Sequence, residues 1–264
     1  MKWIKRLGVL LFALYALACL ALYFAQERIL FNPDTLPQDF VFSSGEEVEL
    51  EVEKGIFLNC LWLKDPASKG AILYLHGNRG SNRRCLHQAE TMQGKGYDIF
   101  MPDYRGYGKS DGLIVSEKQL FNDAQKAYDF LKQHYDEKQI VVVGYSIGSG
   151  MASYLAANNQ PQQLILLAPY CSMVDMKDRT VPLLPDFLLK YPLRTDEYLQ
   201  KTAAPITLFH GVEDDVIPFE CSEQLKSLKP DAIQLVTMQE GHRGVIFSHI
   251  FRERVGELLA QGLR

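Results

Sequence analysis

Six short, mostly apolar runs spaced along the chain after residue 70 constrain the fold more than any other feature. They are Ala71 to Leu75, Asp98 to Met101, Ile140 to Val143, Leu164 to Leu167, Ile206 to Phe209 and Ile233 to Val236. Continuous runs of this length suit strands covered on both faces, as in a parallel sheet. Helix-period segments separate most of them. The clearest spans 117–135, where Leu120, Phe121, Ala124, Ala127, Tyr128 and Leu131 recur at helical spacing. Ser116 and Gln119 form a capping box at its start. Upstream, Val48 to Glu53 alternates apolar and acidic residues, and Ile56 to Leu63 reads as its hairpin partner. Leading antiparallel strands followed by alternating strand and helix predict an α/β architecture, a mostly parallel, doubly wound sheet.

The N-terminus carries a different signal. Lys2, Lys5 and Arg6 precede an uncharged segment, Leu7 to Phe24, rich in Leu and Ala. As a helix it rises about 27 Å, enough to cross a hydrocarbon core. Positive charge before the segment predicts a cytoplasmic N-terminus and a remaining chain on the far side, periplasmic, lumenal or extracellular. Ala16-Leu17-Ala18 also supplies a small-x-small cleavage pattern, with Cys19 directly after it as in a lipoprotein processing site. Cleavage there releases a secreted chain. The apolar run continues past that point through Leu20, Leu22, Tyr23 and Phe24, which favours an uncleaved anchor. The expected organisation is an anchor or signal over 1–25, a connector over 26–38 and one catalytic domain over 39–264.

Composition excludes several alternatives. A formal net charge of −4, with no basic cluster after the first few residues, argues against a nucleic-acid partner. Cys19, Cys60, Cys85, Cys171 and Cys221 are odd in number and form no CxxC pair, so zinc and thioredoxin-like chemistry lack support. Gly108-Lys109-Ser110 echoes the end of a P-loop, but Asp103 stands where that motif needs glycine. No metal and no cofactor is expected.

The chemistry concentrates after the run Ile140 to Val143. That strand leads straight into Gly144-Tyr145-Ser146-Ile147-Gly148, and helix formers follow from Met151 to Ala157. The pattern G-x-S-x-G between strand and helix lifts a serine hydroxyl onto a strained turn, where a side chain in place of either glycine would collide with its neighbours. The helix N-terminus directs the Ile147 N–H at an oxyanion. By itself the bare pattern arises by chance in about one chain in ten of this length. A serine nucleophile also needs a base, and the base needs an orienting acid.

Both candidates follow in the expected order. Asp214 sits in the loop just past Ile206 to Phe209, where open α/β sheets place their sites. His242 lies in a glycine-flanked loop after Ile233 to Val236. Asp215 and Asp175 are the alternative acids, ranked behind Asp214. His87, His134 and His249 fall in helical segments, while His76 and His210 end strands as loop-shaping residues. Tyr145 reads as a packing or pocket-wall residue. The loop Leu75-His76-Gly77-Asn78-Arg79-Gly80 offers the Asn78 N–H as a second oxyanion donor.

Taken together, His76-Gly77-Asn78, the segment Asp103 to Ser110, Gly144 to Gly148, His210-Gly211 with Asp214 and Pro218, and Gly241-His242 resemble the α/β-hydrolase superfamily. The resemblance covers the chain from about residue 40 onward. More narrowly it is similar to small, membrane-anchored serine hydrolases with a minimal cap. It implies cofactor-free hydrolysis of esters or thioesters, often of acyl chains or lipids. Arg243, after the histidine, departs from the commoner small polar residue and leaves the local pocket charge open. A short cap-like insertion is expected over 170–204, with Leu183, Leu184, Phe187, Leu188, Leu189 and Tyr191 lining an acyl pocket, resting on a membrane, or packing on the core. Aminoacyl or peptide cleavage is a variant of this reading. A non-catalytic binding protein on the same fold is the alternative of a different class.

Overall fold

An eight-stranded sheet forms the centre of the computed structural model, which describes residues 2–262. The chain enters through helix α1 (Lys2–Leu30). The sheet strands are β1 (Glu46–Glu53), β2 (Ile56–Leu63), β3 (Ala71–Leu75), β4 (Asp98–Pro102), β5 (Ile140–Tyr145), β6 (Gln163–Leu167), β7 (Ile206–Gly211) and β8 (Ile233–Met238). Their spatial order is β1-β2-β4-β3-β5-β6-β7-β8. β2 runs antiparallel to β1 and to β4, and every later pairing is parallel. The doubly wound sheet with a leading antiparallel hairpin is therefore present as expected.

Burial on both sides explains the apolar runs of the inner strands, whereas β8 at the sheet edge is only half-buried. Every residue of β3, β5 and β6 is buried. Successive side chains point to opposite faces. Leu73, Leu75 and Val142 enter one core, and Ile72, Tyr74, Val141 and Val143 enter the other. Helices α2 (Asn82–Ala89) and α8 (His249–Gly262) cover the second core through residues such as Leu86 and Phe251. The first core is covered by α3 (Glu117–Leu131) and α4 (Gly148–Asn158), through Phe121 and Leu155. At the start of α3, Ser116 Oγ accepts from the Gln119 N–H at 3.2 Å. The Gln119 side chain reaches one residue further back than the expected box, accepting from the Val115 N–H at 2.9 Å.

Two parts of the expected organisation are redrawn. First, α1 does not stop near residue 25. Residues 26–30 are helical, because partners some 160 positions away hold them. Gln26 is buried, donates to the Leu188 carbonyl at 2.8 Å and accepts from the Lys190 N–H at 2.8 Å. Glu27 takes Lys190 Nζ and the Tyr191 hydroxyl, each at 3.0 Å. Beyond the helix, Asn32–Pro33 pairs in parallel with Arg79–Gly80. The segment expected to be a connector is thus built into the domain.

Second, the insertion expected over 170–204 divides. Its protruding part is α5 (Met173–Thr180) and the loop that follows, with one 3-10 turn at Asp186–Leu188. Its last part, α6 (Thr195–Lys201), belongs to the domain body and buries Leu199 in the first core. α7 (Glu220–Leu228) follows on the same face. Within the apolar stretch, Leu184 and Tyr191 are buried, whereas Leu183 and Phe187 are 78% and 84% exposed. One segment therefore both lines the interior and presents apolar surface outward.

Most of α1 before Cys19 is exposed, and the helix is long and apolar enough to cross a membrane, with a mean hydropathy of 2.4 over an 18-residue stretch. Tyr15 donates to the Leu183 carbonyl at 2.8 Å, so the helix lies beside the exposed side of the cap.

Candidate active site

β5 ends in the turn that carries Ser146. Its φ of 54° places a non-glycine residue in the left-handed region, a strained conformation that the surrounding contacts must impose. The Ser146 N–H donates to the Leu167 carbonyl at 2.9 Å, which extends the ladder with β6 through the turn. Two glycines let strand and helix approach. A Cβ on Gly148 would stand 2.1 Å from the Leu75 carbonyl oxygen, and one on Gly144 would stand 2.6 Å from Ala152 Cβ. The obstacles at Gly148 are backbone atoms and cannot swing away. Gly148→Ala is therefore expected to destabilise the fold by about 3 kcal/mol, seen as a lowered Tm or loss of soluble folded protein. A change below about 1 kcal/mol would show that the turn relaxes freely.

Ser146, His242 and Asp214 come together although 68 to 96 positions separate the serine from the other two. Ser146 Oγ lies 3.0 Å from His242 Nε2, and His242 Nδ1 lies 2.7 Å from Asp214 Oδ2. The Asp214 side chain is fully buried, and its other oxygen accepts from the N–H groups of Val216 and Ile217 at 2.9 and 2.8 Å. Burial alone would raise its pKa. Hydrogen bonds from His210 and His242, the charge of His242 and the Ile217 N–H outweigh burial and hold the carboxyl well below the usual range. The alternative acids stand elsewhere. Asp215 is exposed, and Asp175 pairs with Arg179 at 2.8 Å on α5.

Two braces fix this arrangement. His210 Nε2 lies 3.0 Å from the Ile217 carbonyl and 3.2 Å from Asp214 Oδ2, while its Nδ1 faces Ser222 Oγ at 2.7 Å. The carbonyl contact puts the proton on Nε2, so Nδ1 accepts from the serine. Tyr145 donates its hydroxyl to the His242 carbonyl at 3.0 Å, and its ring lies 27° from parallel to the imidazole at 5.5 Å.

Asn78 and Ile147 line the same cavity as Ser146. The Asn78 carbonyl accepts from the Asn32 N–H at 2.9 Å and from the Tyr107 hydroxyl at 2.8 Å. With its carbonyl held from two directions, the peptide of this loop has a set orientation. Among the described residues, neither the Asn78 nor the Ile147 N–H donates within the protein. Asp103, the residue that breaks the P-loop pattern, supports the same loop. It accepts from the Asn82 N–H at 2.8 Å and lies 3.4 Å from His76 Nε2.

Two cavities open on either side of Ser146. One, of about 390 Å³, is overwhelmingly apolar and runs between α1 and the cap. Its walls include Leu22, Leu30, Met176, Leu184 and Tyr191, with Ser146 and Ile147 at the inner end. The other, of about 430 Å³, is more polar and shares Ser146 and Asn78, and of the two it is the one lined by His242. Arg79, Arg84 and Arg243 line it.

Comparison with known proteins agrees with this fold. A family model described as serine aminopeptidase, S33, matches residues 66–195. An uncharacterized protein of Mycobacterium tuberculosis is 30% identical over 211 residues, spanning 76% of this chain and 74% of that one. An uncharacterized protein of Escherichia coli O157:H7 is 28% identical over 98% of this chain and 96% of its own length. An esterase from Pyrococcus furiosus superposes with a TM-score of 0.69 at 23% identity, over 89% of this chain and 98% of that structure. The chain belongs to the α/β-hydrolase superfamily.

Within this hydrolase, several further residues support the loops around Ser146. His210 acts as the loop-shaping histidine expected from sequence, whereas Asn32 and the end of α1 were not read as supports. Asn32, Tyr107, His210 and the end of α1 each brace an element distant in sequence. The one signal available for His210 was its place at a strand end before Gly211, where a Cβ would stand 1.9 Å from the Glu240 carbonyl oxygen. That close approach brings the loop of Asp214 against the loop of His242.

Proposed function

We propose that the protein is a membrane-anchored serine hydrolase that cleaves carboxylic esters or acyl thioesters through Ser146, His242 and Asp214. The observation that carries this reading is the unbroken hydrogen-bond chain from Ser146 Oγ to Asp214, at 3.0 and 2.7 Å. His242 Nε2 takes the serine proton as Oγ attacks the acyl carbonyl, and Asp214 stabilises the imidazolium that forms. The N–H groups of Asn78 and Ile147 receive the negative charge of the tetrahedral intermediate. His242 then returns the proton to the leaving oxygen or sulfur. Water, activated by the same histidine, releases the acid. No step calls for a cofactor.

The apolar cavity between α1 and the cap suits an acyl chain. From Leu30 to Leu22 the helix rises about 12 Å along its wall, leading from Ser146 toward the apolar part of α1. This geometry favours an uncleaved α1, because removing it would open the cavity to water. With Lys2, Lys5 and Arg6 before the span, the catalytic domain lies on the side opposite the cytoplasm. Aminopeptidase activity would need a carboxylate to hold the substrate ammonium, and neither cavity has one among its lining residues.

The full-length chain in detergent is expected to hydrolyse p-nitrophenyl acyl esters and to prefer medium or long chains over acetate. Hydrolysis of none of them would contradict the reading. Leu22→Trp is expected to lower the ratio of long-chain to short-chain kcat/KM about tenfold, since overfilling a packed wall costs of the order of one decade in binding. An unchanged ratio would place the acyl chain elsewhere.

A further inference from the structure

The more polar of the two cavities beside Ser146 is lined by Arg79, Arg84 and Arg243, with no carboxylate among its lining residues. Among the described residues, none of these three guanidinium groups has an ion-pair or hydrogen-bond partner. Among the other described arginines, Arg6, Arg28 and Arg252 are also unpaired but line neither cavity beside Ser146. Arg83 pairs with Asp34, Arg105 with Asp123, Arg179 with Asp175 and Arg194 with Asp196. What sets Arg79, Arg84 and Arg243 apart is their convergence on one cavity. The three come from separate parts of the chain. Arg79 directly follows Asn78 in the proposed oxyanion loop, Arg84 lies on α2, and Arg243 directly follows the proposed base. Convergence of unpaired guanidinium groups on one concave site is the arrangement that recognises carboxylate or phosphate groups.

The chemistry of the proposed reaction decides which half of a substrate meets them. His242 must hand its proton to the leaving atom, so the leaving group occupies the cavity that His242 lines. That is the arginine-lined cavity, and His242 is absent from the walls of the apolar one. The acyl chain then takes the apolar side. We propose that Ser146 stands between an acyl subsite and an anion subsite, and that the preferred substrates are acyl esters whose leaving alcohol carries a negative charge. Arg79, Arg84 and Arg243 are the residues that select it. Phosphate and carboxylate share this chemistry. The inference rests on the serine-hydrolase reading above, because only that reading assigns the proton transfer to His242.

The test compares substrates with one acyl chain and different leaving groups: monoacylglycerol (neutral), lysophosphatidylglycerol (phosphate) and an acyl ester of glycolate (carboxylate). The full-length protein in neutral detergent is expected to favour at least one anionic ester over monoacylglycerol about tenfold in kcat/KM, a preference that salt weakens. The anion with the larger ratio identifies its source as phosphate or carboxylate. The triple variant Arg79→Gln, Arg84→Gln, Arg243→Gln is expected to bring that ratio close to one. Fluorophosphonate labelling of each protein reports the state of Ser146 independently. Labelling without any charge preference overturns the anion subsite alone, as does a preference that survives the triple variant. Absence of labelling in the unmodified protein overturns the serine-hydrolase reading and the subsite with it.

Discussion

Ser146→Ala is expected to lower kcat for acyl esters by about 10⁶-fold while leaving the fold and Tm nearly unchanged. The size of the effect follows from the role proposed for the hydroxyl. Without Oγ no acyl-enzyme forms, and the oxyanion donors can assist only direct attack by water, worth a residual 10³–10⁴ over the uncatalysed rate, roughly as in other serine hydrolases. The fold is spared because removing one oxygen leaves the left-handed turn and the ladder to Leu167 in place. Relief of strain at φ 54° is not gained by alanine, which keeps its Cβ. A loss of less than about tenfold would mean that another group carries the chemistry.

Asp214→Asn is expected to lower kcat by about 10⁴-fold with little change in KM. An amide beside His242 Nδ1 can offer an N–H where the carboxylate accepts one. The imidazole then carries its proton on Nε2, pointing at Ser146 Oγ, and cannot take the serine proton. His210 does not rescue this, because its Nε2 proton already serves the Ile217 carbonyl. The pH dependence of stability changes as well. Folding depresses the Asp214 pKa, so the carboxylate contributes stability above the ordinary value near about 4, and that contribution fades as pH falls toward the folded pKa. The Asn variant is expected to lose this part of the acid destabilisation. A kcat within about tenfold of the unmodified protein would shift the orienting role away from Asp214.

Much of the fold was legible because its signals are local. Buried parallel strands read as mostly apolar runs, and β3, β4, β5, β6 and β7 are buried throughout where such runs stand, while β8 at the sheet edge is only half-buried. The elbow around Ser146 was legible for the same reason, since glycine, serine and glycine stand within five residues of a strand end. What escaped depends on contacts between distant segments. Nothing about Gln26 or Glu27 announces Leu188, Lys190 or Tyr191 as partners, so α1 reads as ending near residue 25 when it continues to Leu30. Asn32 and Pro33 look like linker residues, yet they pair with the loop of Asn78. The apolar stretch from Leu183 to Tyr191 was ambiguous in principle. Its inward and outward residues alternate irregularly along a loop, with neither helical nor strand period.

The three arginines show a third case. Arg243 was visible as a departure from the superfamily pattern, but a charge at one position says nothing about its neighbours. Only the folded chain brings Arg79 and Arg84 to the same cavity, and only the shared wall with His242 relates them to the leaving group.

The central claim is that Ser146 is the residue that receives the acyl group. It is tested most directly by treating the full-length protein with a fluorophosphonate and mapping the adduct by peptide mass spectrometry. A single adduct on the peptide containing Ser146, abolished in Ser146→Ala and slowed in Asp214→Asn, is the predicted result. An adduct on another residue, or an unmodified protein that stays unlabelled while folded, would contradict it.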